Sequence, residues 1–223
     1  MSKAKVGIVV FPGSNCDHDA YFAFKDILKV DTKFLWHKEE SIGDRNLIIL
    51  PGGFSYGDYL RCGAIARFSN LMSDIINFAN NGGVVIGICN GFQILCETGL
   101  LPGVLLKNKN LQFICKTVSL TVENNKSIFT GNCEIKEVIN IPIAHGEGCY
   151  FCDDNTLMEL ISNNQILFTY NDNPNGSLNN IAGIQNIKRN ILGMMPHPER
   201  AADEILGNTD GIKILSSVVE SFE

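Results

Sequence analysis

Three short, uninterrupted apolar runs limit the folds open to this chain. Residues 6–11, 47–50 and 84–88 are rich in Val, Ile and Leu, and each ends abruptly, at Pro12-Gly13, at Pro51-Gly52-Gly53 and at Cys89-Asn90-Gly91. A run that is apolar throughout, rather than alternating, reads as a strand covered on both faces. Between the runs the period changes. Ala20, Phe24, Ile27 and Leu28 share one helical face behind a cap at Asn15 or Asp17, and Phe68, Leu71, Ile75 and Phe78 or Ala79 share another, stopped by Asn81-Gly82-Gly83. Val30, Thr32, Phe34 and Trp36 alternate with Asp31, Lys33, Leu35 and His37, which reads as a strand with one less buried face and a solvated His37 at its end. Strands interleaved with helices imply a doubly wound, mostly parallel α/β sheet.

From residue 112 the pattern shifts to strands without helices between them. Val118, Leu120 and Val122 share one face, further strands are expected at 138–144, 165–170, 181–185 and 191–195, and Asn173-Pro174-Asn175-Gly176 is a turn. This half is expected to add antiparallel strands to the sheet. Ile212, Leu215, Val218, Val219 and Phe222 predict a closing amphipathic helix. With no repeat, linker or composition break, residues 1–223 are expected to form a single domain, and 45% hydrophobic residues are ample for its core.

Charge and cysteine usage narrow the function. A net charge of −6 with no basic run disfavours nucleic acid and anionic membranes as partners. The apolar run near the N-terminus is too short for a signal-peptide core or a membrane span, so the expected location is cytoplasmic. Eight cysteines in a reducing compartment are expected to be free thiols. Cys149 and Cys152 make the sole CxxC pair, which without a second pair does not complete a closed zinc site, and no metal is expected.

One thiol stands out by its setting. Cys89 lies where the third run becomes a helix carrying Phe92 and Leu95 or Cys96, and Gly87 and Gly91 flank it two residues to either side. That spacing fits a nucleophile elbow, a sharp strand-to-helix turn that needs neighbours without a Cβ and presents its side chain at a helix N-terminus, where an anion is favoured. Such a cysteine is either a nucleophile or a buried structural thiol. A nucleophile needs a base, and a third group to orient it. Of four histidines, His145 and His197 have a carboxylate two positions on, in His145-Gly146-Glu147 and His197-Pro198-Glu199. Pro196 and Pro198 restrain the second pair whereas Gly146 leaves the first loose, so rigidity favours His197 with Glu199. The paired glycines of 51–53 permit close backbone approach to a ligand, as an oxyanion site requires, although Pro-Gly-Gly is also an ordinary turn. Residues 54–66 lack periodicity, and loops of that length are often functional.

Gly87-Ile88-Cys89-Asn90-Gly91-Phe92-Gln93 together with His197-Pro198-Glu199 resembles the class I, or triad, glutamine amidotransferases. The segments 11–17, 52–61, 144–148 and 195–200 are similar to those of the glutaminase subunits (PurQ type) of phosphoribosylformylglycinamidine synthase, and the likeness spans nearly the whole chain. Cys62 departs from it, standing where many relatives have alanine. The resemblance implies a flavodoxin-like sheet and hydrolysis of glutamine through a glutamyl thioester. In that reading Cys89 is the nucleophile, His197 the proton carrier and Glu199 its orienting carboxylate. Gly53 and Asn90 supply oxyanion donors, and Gln93 and His145 line the substrate site. It also implies no cofactor in this chain. ATP, Mg and formylglycinamide ribonucleotide belong to a partner synthase subunit, PurL, that receives the ammonia, accompanied by a small subunit, PurS. The absence of a G-x-x-x-x-G-K-[ST] loop agrees with that division of labour. Two other readings stay open on sequence alone: a different cysteine hydrolase of similar fold, and a silent scaffold subunit.

Overall fold

A computed structural model describes residues 3–223. Its strands are β1 (Lys5–Val10), β2 (Asp31–Trp36), β3 (Leu47–Leu50), β4 (Val84–Ile88), β5 (Val104–Leu106), β6 (Ile114–Val122), β7 (Val138–His145), β8 (Cys149–Phe151), β9 (Ile166–Tyr170), β10 (Ile181–Gln185) and β11 (Ile191–Met194). The α-helices are α1 (Asp17–Phe22), α2 (Asn70–Asn80), α3 (Asn90–Glu97), α4 (Asp154–Ser162) and α5 (Asp210–Glu220). Nine strands form one sheet in the order β2-β1-β3-β4-β11-β10-β9-β6-β7, and β5 pairs with β8 apart from it.

The sheet has two regimes. The strands β2, β1, β3, β4 and β11 run parallel, in the flavodoxin-like order, and β10, β9, β6 and β7 continue antiparallel. All four residues of β3 are fully buried, as are Val85, Ile86 and Ile88 of β4, which is why these runs carry no polar alternation. Buried residues from both regimes belong to one apolar cluster. The antiparallel block is inserted between β4 and its parallel neighbour β11, whose register pairs Gly193 with Gly87 and Met194 with Ile88. The two strands therefore end together, and the loops that leave them emerge at the same edge of the sheet.

The structure departs from the sequence reading in several places, among them Phe68, which precedes α2 and is 76% exposed, and the cap of α1, which is Cys16. In β2 the alternation slips: Thr32, Leu35 and His37 are buried while Phe34 and Trp36 are over a third exposed. This is an edge strand, paired only with β1, so its outer face needs little cover, and Phe34 stacks on Tyr21 at 4.5 Å between ring centroids. His37 is not a solvated end. It packs beneath the 54–66 loop, where the Tyr56 hydroxyl meets its Nδ1 at 2.7 Å and burial lowers its pKa. The first helix is also short, passing after Phe22 into a π-helical turn over Ala23–Ile27 that keeps Ala23 and Phe24 in the core. Finally β5, β8 and α4 went unforeseen, two of them being strands of three residues, too few to show a period.

Candidate active site

The elbow is built as its glycines require. Cys89 caps α3 with φ 50° and ψ −105°, a strained backbone for a residue with a side chain. Its N–H donates to Met194 O at 2.8 Å, which ties the turn to the end of β11. A Cβ on Gly91 would lie 1.9 Å from Leu50 O, and one on Gly87 would lie 2.6 Å from the Gly91 carbonyl, so the helix can approach the sheet only with both glycines in place.

Three residues after Met194 comes His197, whose N–H donates to Pro142 O at 2.8 Å. Pro198 then opens a single 3-10 turn through Arg200, the position where a missing N–H costs nothing. The proline-restrained His-Pro-Glu segment is thus a tight turn, and it brings His197 Nδ1 to 2.6 Å from Glu199 Oε1. Both side chains are buried. Burial alone pulls His197 toward neutrality. Glu199 first, and then the Cys89 and Cys16 sulfurs beside the ring, outweigh it and raise the pKa well above the ordinary value. With Nδ1 committed to Glu199, Nε2 has no hydrogen-bond partner among the described residues.

The remaining expected residues lie in the loop after β3, in the first turn of α3 and at the end of β7. Gly53, at φ 127°, bridges to Ser14 and lines a cavity of about 200 Å³ together with Asn15, Cys16, Phe54, Phe113, Ala144 and His197 among others. Asn90 begins α3, where the first backbone N–H groups lack helical partners. Its side chain accepts from Ser55 N–H at 3.2 Å and donates to Gln93 Oε1 at 2.9 Å, while Gln93 Nε2 donates to Glu147 O at 2.7 Å. Both amides are buried and committed to the loops on either side.

His145 has a different setting from a free substrate contact. It is buried, its Nδ1 lies 3.0 Å from Asn108 Oδ1 and its Nε2 3.5 Å from Asn175 Nδ2. Burial, and then the charge of His197, hold its pKa at about 4, so the ring is neutral. Asn108 also donates to His145 O and accepts from Gly148 N–H, and Asn175 donates to Gly148 O. This clamp fixes the 144–148 loop, whose Ala144 carbonyl faces Cys89 Sγ at 3.6 Å. Asn108 and Asn175 lie 37 and 30 residues from His145, and only tertiary structure reveals the link.

Two further cysteines were given no role by the sequence reading. Cys16, 3% exposed in the loop after β1, receives a hydrogen bond from Arg200 Nη2 at 3.0 Å, and Arg200 Nε donates to Asp19 at 2.9 Å. The signal was present: ligands gather at the carboxyl ends of parallel strands, and Cys16 follows one. Cys62, beside Asp58 and Glu147, has its pKa pushed up by burial and then by those carboxylates.

A thiol at the elbow that ends β4 and a carboxylate-paired histidine three residues after its parallel neighbour β11, both at the carboxyl edge of a doubly wound sheet, define the class: an α/β protein with an elbow cysteine and a buried His-Glu pair. Within that class, residues 3–213 match the CobB/CobQ-like glutamine amidotransferase domain, and the chain belongs to that family. A chain in the structure of PurLQS from Thermotoga maritima is 44% identical, with 100% of both chains covered and a TM-score of 0.91. A Thermotoga maritima glutamine amidotransferase (14% identity, 98% and 91% covered, TM-score 0.59) and the acivicin-bound glutaminase domain of Trypanosoma brucei CTPS (12%, 99% and 95%, 0.62) share the fold. Among the described residues no helix is long and apolar enough to cross a membrane.

Proposed function

We propose that this chain is the glutaminase subunit of phosphoribosylformylglycinamidine synthase. The observation that supports the chemistry is the 2.6 Å His197–Glu199 pair, which follows β11, the strand paired in register with the one that ends at Cys89. Likeness to a full-length PurLQS chain supports the choice of synthase.

In this reading the Cys89 thiolate attacks the side-chain carbonyl carbon of glutamine. The π pair moves to oxygen, where the backbone N–H groups of Gly53 and Asn90 receive it. His197, charged and held by Glu199, gives its proton to the amide nitrogen as the C–N bond breaks and ammonia leaves. The resulting γ-glutamyl thioester is cleaved by water that gives a proton back to His197, and the C–S bond breaks to release glutamate. Gln93 stands at the family position for a substrate contact, its amide held by Asn90 and the Glu147 carbonyl, and His145 lines the site through the loop it anchors.

Ammonia then passes to a PurL-type subunit that uses ATP and Mg to convert formylglycinamide ribonucleotide, with a PurS-type small subunit completing the assembly. Phe54 and Phe113, 43% and 54% exposed and paired across the cavity mouth at 6.3 Å, suit a docking rim. The chain is cytoplasmic and acts as one domain. A glutamine-analogue alkylator followed by peptide mapping tests the chemistry: label at Cys89 in the assembled complex is the expected result, and label at another cysteine, or none, sinks the reading. Full glutamine turnover by the isolated chain would contradict the coupling to a partner.

A further inference from the structure

The turn that carries His197 and Glu199 ends in an arginine to which the glutaminase chemistry gives no task. Arg200 reaches from that turn to the segment after β1, where Nη2 donates to Cys16 Sγ at 3.0 Å and Nε to Asp19 at 2.9 Å. A planar guanidinium that engages two acceptors at once fixes their orientation as well as their distance, which a lysine ammonium does not. The Cys16 thiol passes the contact on, donating to Asn15 Oδ1 at 3.3 Å.

The same loop grips residues 52–54. Cys16 N–H donates to Gly52 O at 3.4 Å, Phe54 N–H donates to Gly13 O at 3.1 Å, and Ser14 bridges to Gly53. The two hydrogen bonds hold the segment on either side of Gly53 and do not use the Gly53 N–H. Packing leaves little slack. A Cβ on Gly53 would lie 2.7 Å from Asn15 N and 2.9 Å from Asn15 Oδ1, and one on Gly52 would lie 3.1 Å from Cys16 Sγ and 2.6 Å from His197 Cε1. The Gly52 α-carbon thus packs against Cys16 and the His197 ring together, and Gly53, Cys16, His197 and Arg200 line one cavity.

These contacts close a circuit, from the His197 turn through Arg200, Cys16 and Asn15 to Gly52 and Gly53, and back to the His197 ring. We propose that Arg200 and Cys16 are positioning residues that set the Gly53 N–H at its working distance from His197. This inference rests on the glutaminase reading, in which that N–H receives the developing oxyanion. The demand on geometry is strict, because a donor must stand at hydrogen-bond distance from the charged oxygen, and losing one costs about a hundredfold to a thousandfold in kcat. Both residues act through the 52–54 segment rather than on the reacting atoms.

Glutamine turnover by the assembled complex is the test, run beside iodoacetamide alkylation of Cys89, a displacement at saturated carbon that develops no oxyanion. Cys16→Ala and Arg200→Gln should each lower kcat by about tenfold to a hundredfold, with KM for glutamine and the rate of Cys89 alkylation within about twofold of the parent. Cys16→Ser, whose hydroxyl accepts from Arg200 and donates to Asn15, should regain most of that loss. Asp19→Ala removes only the outer acceptor, 43% exposed, and so should fold as the parent does and lower kcat by about threefold, the scale of a surface ion pair. Unchanged kcat in Cys16→Ala, a Cys16→Ser as slow as Cys16→Ala, or a fall in kcat matched by slower alkylation of Cys89 would each overturn the inference. A parent complex that turns over no glutamine would sink the glutaminase reading and this inference with it, whereas an active parent with unchanged variants sinks this inference alone.

Discussion

Replacing Asn108 with Ala tests whether the 144–148 loop is held by its asparagine clamp. Asn108 is fully buried and makes four hydrogen bonds: to Gln112 O and His145 O at 2.8 Å, with His145 Nδ1 at 3.0 Å, and from Gly148 N–H at 3.1 Å. At about 1 kcal/mol net for each, the loss comes to about 4 kcal/mol, because alanine replaces none of these bonds and leaves the His145 and Gly148 groups buried without a partner. For a chain of this size that is a fall in Tm of roughly 8–16 °C. The functional effect depends on the groups that the loop presents: the Ala144 carbonyl faces Cys89, and the Glu147 carbonyl holds Gln93. Glutamine-dependent kcat in the complex should drop by about tenfold to a hundredfold, the usual consequence of a misplacement on the ångström scale. Thermal melting and steady-state glutaminase assays measure the two effects. A Tm within about 2 °C of the parent, on that same scale, would refute the clamp.

Other substitutions probe separate parts of the design. Gly91→Ala places a Cβ 1.9 Å from the Leu50 carbonyl oxygen, backbone against backbone, and should destabilise by about 3 kcal/mol or more in denaturant unfolding; a smaller loss would mean the elbow can shift. Glu199→Gln keeps the shape but removes the charge that holds the imidazolium, so the rate should fall by about a hundredfold or more with circular dichroism unchanged, and near-parental activity would remove Glu199 from the triad. His145, with a folded pKa of about 4 against an ordinary 6.5, is neutral when folded, and the unfolded chain takes up the proton first as pH falls. Its contribution is complete above pH 6.5 and is lost on the way down to about pH 4, about 3 kcal/mol over that window. His145→Gln should flatten this part of the stability–pH curve relative to the parent, and identical curves would contradict the shift.

Covalent geometry explains which parts of this site were legible in sequence. The Cys89 turn, its two glycines and the proline-bounded His197–Glu199 pair are local: each constraint acts within a few residues, so spacing alone reports it. The parallel strands were legible too, because full burial on both faces leaves no room for polar alternation in β3 or β4. Where one face is open, as on the edge strand β2, the pattern weakened and His37 was misplaced in consequence. His37 is buried by Tyr56, 19 residues away, and no periodicity within β2 can encode that.

The Cys16 corner and the asparagine clamp mark the other limit. Arg200 reaches Cys16 across 184 residues of sequence, and Asn108 reaches His145 across 37. These contacts exist because the antiparallel block returns the chain to the sheet as β11, directly beside β4, so that the loops after β1, β3, β4, β7 and β11 converge on one edge. The insertion leaves the registry of β4 and β11 intact. It can therefore vary in length without moving Cys89 relative to His197, whereas a shift of one residue in that registry would turn the alternating side chains over and separate them. The placement of Cys89 relative to His197 thus rests on a strand register, and the loops around them rest on long-range polar contacts. Mutations in those contacts should alter how glutamine is held before they unseat the nucleophile from its base.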